Sequence, residues 1–186
     1  MIAIDPLTPR GHRLALVCAA ALLLAACALP RCAHADPAAH PIVQRRVAQA
    51  WPEIEVAADL AGIPPAIFAA LLACESGLDR TAISADGEDH GAGQLRLRWW
   101  RSWLAGEGFH ADDVYGPDAL EIVGRAMRFV AWRYDAVGWR GLLCIWAVGP
   151  KGRDGTHPAC QRRIRRLELL GVVFSTSTLF ALEANQ

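Results

Sequence analysis

Glu75 is the residue whose neighbours best suit it to handle a proton. Phe68, Leu71, Leu72 and Glu75 fall at i, i+3, i+4 and i+7, so they share one helical face, and a carboxyl ends an apolar stripe. Apolar surroundings disfavour the charged form of a carboxyl, which keeps a proton on it for general-acid work. A simpler reading leaves Glu75 at a frayed helix end, in water. Ser76 and Gly77 follow at once, and a polar, Gly-rich loop then carries Ser84, Asp86, Glu88, Asp89, His90 and Gly93 up to Gln94. The acidic residues of this loop read first as a solvated cluster. Their spacing lacks the ligand pattern and closing Glu of a calcium loop.

The helix that positions Glu75 starts at Pro64-Pro65, where a missing N–H costs nothing, and stops at Gly77. Before it, Ile42 to Ala50 reads as a short amphipathic helix and Pro52 to Ala61 as a second, ended by Gly62. After the loop, a helix is expected from Gln94 to about Leu104, carrying Arg96, Arg98, Trp99, Trp100, Arg101 and Trp103. Core packing is the first role for these Trp residues. One left exposed would suit stacking on a sugar face, with the Arg residues facing carboxylates. Asp118 to Val137 reads as the longest helix, with Ile122, Met127, Val130, Ala131 and Tyr134 spaced for burial. Leu142 to Val148 reads as a buried helix, and Cys160 to Leu170 as one whose run Arg162, Arg163, Arg165 and Arg166 forms a solvated face. Residues 171–186 form a tail that packs back on the domain or docks on a partner.

The 186 residues carry 19 basic and 19 acidic side chains, and this balance speaks against a nucleic-acid binder. The length suits one domain with a real core. Arg10, His12 and Arg13 precede an apolar run from Leu14 to Leu29, and Ala33-His34-Ala35 reads as a cleavage site, so residues 1–35 are expected to be a signal peptide. Leu24-Ala25-Ala26-Cys27 also resembles a lipobox, which would remove residues 1–26 and anchor the chain to a membrane through Cys27. Either route implies export, to the periplasm. In an oxidising compartment Cys144 can pair with Cys160 or with Cys74, and a buried unpaired Cys is the third option. No cysteine pair has zinc-site spacing.

Glu75-Ser76-Gly77, Ser84 nine residues after Glu75, and Gly91-x-Gly93-Gln94-Leu95 together resemble the signature of the soluble lytic transglycosylase family. The resemblance spans roughly residues 52–152, and the loop before Gln94 is about one residue longer than the family pattern. It implies a mainly α, lysozyme-like fold with little or no β-structure. The expected organisation is a lead-in helix over 36–51, a catalytic domain over 52–170 and the tail over 171–186.

As the resemblance implies, Glu75 would be the catalytic residue, and Ser76, Ser84, Gly93, Gln94 and Trp146 would bind peptidoglycan glycan strands, with no metal or organic cofactor. Pro117 and Gly124 match a family Asp-Pro…Asn-Ile…Gly element that here lacks its Asn. Trp146-Ala147 stands where the family has Tyr-Asn, which keeps an aromatic wall without the hydroxyl. A hydrolase reading needs a second carboxylate, Glu88 or Asp89, about 6.5–9.5 Å from the acid to activate water. A non-catalytic wall-binding component is the reading from outside the enzymes. By analogy the partner would be a secretion or conjugation apparatus.

Overall fold

The structure, a computed structural model, describes residues 40–183, with side chains to Ser175. The leader segment 1–35, with Cys27, lies outside the described residues, as do residues 36–39 of the lead-in. The fold is mainly α, and among the described residues its β-structure is one two-stranded sheet with a single added bridge.

The central element is α3 (Pro65–Ser76), reached through α1 (Pro41–Gln49) and α2 (Trp51–Ala61). Gly62 ends α2 at φ 68° and Gly77 ends α3 at φ 66°; both positions favour glycine because a Cβ is strained there. The apolar stripe expected on one face of α3 is broader than that. Every residue from Ile67 to Glu75 is buried, so α3 is covered on all sides. Full burial of a side chain such as Phe68 or Leu72 stabilises the fold by about 1.5–3 kcal/mol.

The loop after α3 folds into a short antiparallel ribbon. Strand β1 (Asp89–His90) pairs with β2 (Leu95–Arg96), with Asp89 opposite Arg96 and His90 opposite Leu95. Ile83 adds a bridge to His90 on the other side. The helix expected from Gln94 therefore begins later, as α4 (Leu97–Gly106), because Gln94 sits in the left-handed region at φ 51° and the next two residues are strand. A 3₁₀ turn at Ala111–Tyr115 leads to α5 (Ala119–Tyr134), which stops three residues short of the expected end at Asp135, φ 52°.

Helix α5 lies along α2. A Cβ on Gly124 would stand 2.4 Å from the Ala57 carbonyl oxygen, so only glycine permits this approach. Helix α6 (Gly138–Val148) starts four residues earlier than expected, and a second 3₁₀ turn (Pro150–Gly152) follows it. Residues 158–183 form one helix, α7 (Pro158–Glu183), rather than a helix to 170 and a separate tail. Gly171 does not break it. It lets α7 pass close over α3, where a Cβ would meet Ile67 Cδ1 at 2.9 Å. Phe174 is fully buried beyond it. Of the cysteine options, Cys144 of α6 pairs with Cys160 of α7, while Cys74 is buried and outside the disulfide.

Candidate active site

Glu75 lies in the last turn of α3, 8% exposed, which removes the reading of a frayed, hydrated end. Its carboxylate meets a partner that the sequence reading placed in solvent. The Arg163 guanidinium on α7 donates to Glu75 Oε1, with the Arg163 side chain 20% exposed and that of Glu75 6%. Eight residues separate Arg163 from Gly171 and eight separate Ile67 from Glu75, so α7 and α3 run antiparallel through these two contacts. The expectation of a solvated arginine face on α7 fails at Arg163. It holds for Arg162 and Arg165, which are exposed. Among the described residues, Arg163 is the group hydrogen-bonded to Glu75.

The three parts of the motif are brought together by hydrogen bonds. Ser76 Oγ donates to the Ala92 carbonyl at 2.9 Å and accepts the Asp79 N–H at 3.1 Å, tying the end of α3 to the turn before Gln94. Gln94 Nε2 donates to the Gly91 carbonyl at 2.9 Å, and Gly91 N–H donates to the Ala82 carbonyl at 2.8 Å. Ser84 Oγ donates to Asp86 at 2.5 Å and accepts the Asp89 N–H at 2.9 Å and the Glu88 N–H at 3.2 Å. The hydroxyls of Ser76 and Ser84 are thus spent on the loop itself, and neither hydrogen-bonds Glu75. Gly93 is a packing position. A Cβ there would stand 2.4 Å from Val123 Cγ2 of α5.

Of the acidic residues of the loop, Asp86 is exposed as a solvated cluster would have it, whereas Glu88 and Asp89 are engaged with α4 and its approach. Asp89 accepts from Arg96 Nε at 2.7 Å and from Nη2 at 3.0 Å. Arg96 is 8% exposed, and hydrogen bonding to Asp89 raises its pKa, so it is firmly a cation. Arg98 Nε lies 3.0 Å from Glu88 Oε2, close enough to pair electrostatically but without hydrogen-bond alignment. Both Arg96 and Arg98 also stack on Trp99. Neither carboxylate expected for the hydrolase reading stands unpaired.

Trp146 of α6 is half-buried and meets Trp100 of α4, with ring centroids 6.1 Å apart. Trp100 continues the contact to Trp103 and Phe129, and Phe129 to Trp132. Trp132 is 76% exposed, and with Trp103, Phe129, Arg125 and Arg128 it lines an open cleft of about 400 Å³. Among the described residues, the exposed Trp is therefore on α5, not on the Trp-rich α4.

Arg163 was within reach of the sequence. Cys160, Arg163, Ile164 and Leu167 repeat the i, i+3, i+4, i+7 pattern that singled out Glu75, and the other three are buried. A cation on a buried stripe and an anion on another are natural partners. No family model matches the chain, and no curated protein or solved structure is significantly similar to it.

Proposed function

We propose that this protein is an exported peptidoglycan lytic transglycosylase in which Glu75 acts first as general acid and then as general base. The observation that carries the reading is a carboxyl buried at the end of the core helix, followed by a loop in which Ser76, Ser84 and Gln94 are hydrogen-bonded and Gly93 packs against α5. Glu75 protonates the oxygen between N-acetylmuramic acid and N-acetylglucosamine, and the C1–O bond breaks. Its carboxylate then takes the proton of the muramic C6 hydroxyl as that oxygen bonds to C1. A 1,6-anhydro ring results and no water is consumed, so one carboxylate suffices and neither a metal nor an organic cofactor is called for. The ion-paired state of Asp89 and Glu88 agrees better with this one-acid scheme than with a two-acid hydrolase. Trp146 and the exposed Trp132 offer faces for sugar rings. Periplasmic location, anchoring through Cys27 and a secretion or conjugation apparatus as partner belong to the same proposal.

One observation favours a second reading. The Glu75 carboxyl is engaged by Arg163 rather than left open to a ligand, which suits a non-catalytic wall-binding component. Mass spectrometry of muropeptides released from purified peptidoglycan, with Glu75→Gln alongside, separates the two. Anhydro-ended products that vanish in the variant support the transglycosylase. Reducing-end products indicate a hydrolase, and no release from either protein indicates the binding role.

A further inference from the structure

Glu75 cannot donate a proton while the same carboxylate holds a guanidinium. The pair must open before the chemistry, and something must take the place of Glu75 on Arg163. Arg163 is the more accessible member, so an incoming ligand meets the cation first. The backbone under it is fixed by the Cys144–Cys160 disulfide one turn earlier and by the close pass of Gly171 over Ile67. The exchange is therefore one of side chains rather than of helices.

We propose that Arg163 is a positioning residue that exchanges Glu75 for a carboxylate of the glycan: the lactyl carboxylate of an N-acetylmuramic acid unit. That group is an uncharged amide where a stem peptide is attached and an anion where the strand has been stripped. The favoured substrate is then the peptide-free strand, and an amide-cleaving reaction must supply it. The guanidinium fork fits a carboxylate through two N–H donors, so the ligand's anion competes directly with Glu75. Once Arg163 turns to the ligand, the buried Glu75 carboxyl has lost its partner and its oxygens are free to face the glycosidic oxygen. Binding of the right strand thereby frees the acid. This inference rests on the glycan-cleaving reading of Glu75.

The test is calorimetric binding to peptide-free N-acetylglucosamine–N-acetylmuramic acid hexamers and to the same hexamers with every lactyl carboxyl converted to a primary amide. Glu75→Gln removes both turnover and the internal competitor, and is the background for Arg163→Gln and Arg163→Lys. Thermal melts verify that each variant is folded. Glu75→Gln is expected to prefer the carboxylate hexamer by roughly tenfold, the equivalent of one charge-assisted hydrogen bond. Arg163→Gln should abolish the preference and Arg163→Lys restore part of it. N-acetylmuramic acid alone, which cannot be cleaved, should bind Glu75→Gln more tightly than the native protein.

Equal affinity for the two hexamers, a preference that survives Arg163→Gln, or no binding to either overturns the proposal. Cleavage is scored separately. Glu75-dependent anhydro products formed equally from carboxylate and amide strands keep the transglycosylase and overturn the exchange. Arg163-dependent binding with no product keeps the carboxylate recognition and removes the transglycosylase.

Discussion

Cys160 is disulfide-bonded to Cys144 of α6 three residues before Arg163 turns its guanidinium to Glu75. The covalent link closes a loop with a sequence separation of 16 and fixes the first turns of the helix that carries the cation. Restricting an unfolded chain over a loop of this size contributes about 3 kcal/mol. Replacing both cysteines by serine should lower the stability measured by urea unfolding by about that amount, and a reductant added to the native protein should reproduce the loss. Stability unchanged by either treatment would show that the link is incidental to the fold.

The Glu75–Arg163 pair gives a second, non-additive prediction. Breaking a buried pair strands one charge, whereas replacing both partners with apolar side chains does not. Arg163→Met is expected to cost about 3 kcal/mol, near the lower end of the range because the guanidinium keeps some solvent contact. Combining it with Glu75→Leu should recover most of the loss. A double-mutant cycle by denaturant unfolding reads the coupling, and strictly additive losses would mean that the two side chains are energetically independent.

Gly93 meets α5 too closely for any side chain. Gly93→Ala should destabilise the protein by about 1–3 kcal/mol through overpacking against Val123, and Val123→Ala should restore part of it. If Gly93→Ala left stability intact while weakening glycan binding, Gly93 would be a ligand contact after all, as the family resemblance implies.

Asp79 supplies a pH dependence. Burial pushes its carboxyl up, but hydrogen bonds from the Thr81 hydroxyl and amide, together with Arg46 at 2.8 Å, outweigh that and hold it below the ordinary value. A carboxyl lowered on folding adds stability above its unfolded value of about 3.9, and that stability is lost as the pH falls through the lower folded value. Asp79→Asn should therefore lower stability at pH 7 by about 0.5–1 kcal/mol, the modest value expected for a partly exposed pair. The gap between variant and native protein should close as the pH falls through the lowered folded value. Thermal melts across this range decide it, and a gap independent of pH would assign the contribution to the amide geometry instead of the charge.

Local signals in the chain were legible where one residue type does one job. Pro65 and Gly77 bound α3 as expected, and Gly62 ends α2. What periodicity left hidden depends on contacts distant in sequence. The stripe Phe68, Leu71, Leu72 and Glu75 shows one buried face of α3, but its other faces are covered in part by α7, some ninety residues later. Gly171 reads locally as a breaker, yet it sits inside a helix because the close pass over Ile67 requires a missing side chain. Gln94 was placed at the start of a helix, and its left-handed backbone is imposed by the ribbon rather than favoured by a glutamine. Among four arginines in one run, Arg163 differs only in its register with Cys160, Ile164 and Leu167. The hydrogen bonds by which Ser76 and Ser84 brace the loop are equally invisible in the sequence, because Ala92, Asp86 and Asp89 meet these hydroxyls only once the loop has folded back.

The order in which α3 and α7 occur along the chain has a consequence for how the molecule is made. The most apolar helix is synthesised early, and its cover, which also holds the counter-ion for Glu75, arrives only with residues 158–174. Contacts of such high sequence separation form late, since loop-closure entropy must be met first. A nascent chain ending before Pro158 would hold an uncompensated carboxylate and an uncovered apolar surface, so it has little to gain from folding early. Completion of the fold is therefore timed by its last helix, Pro158–Glu183, about the final sixth of the chain.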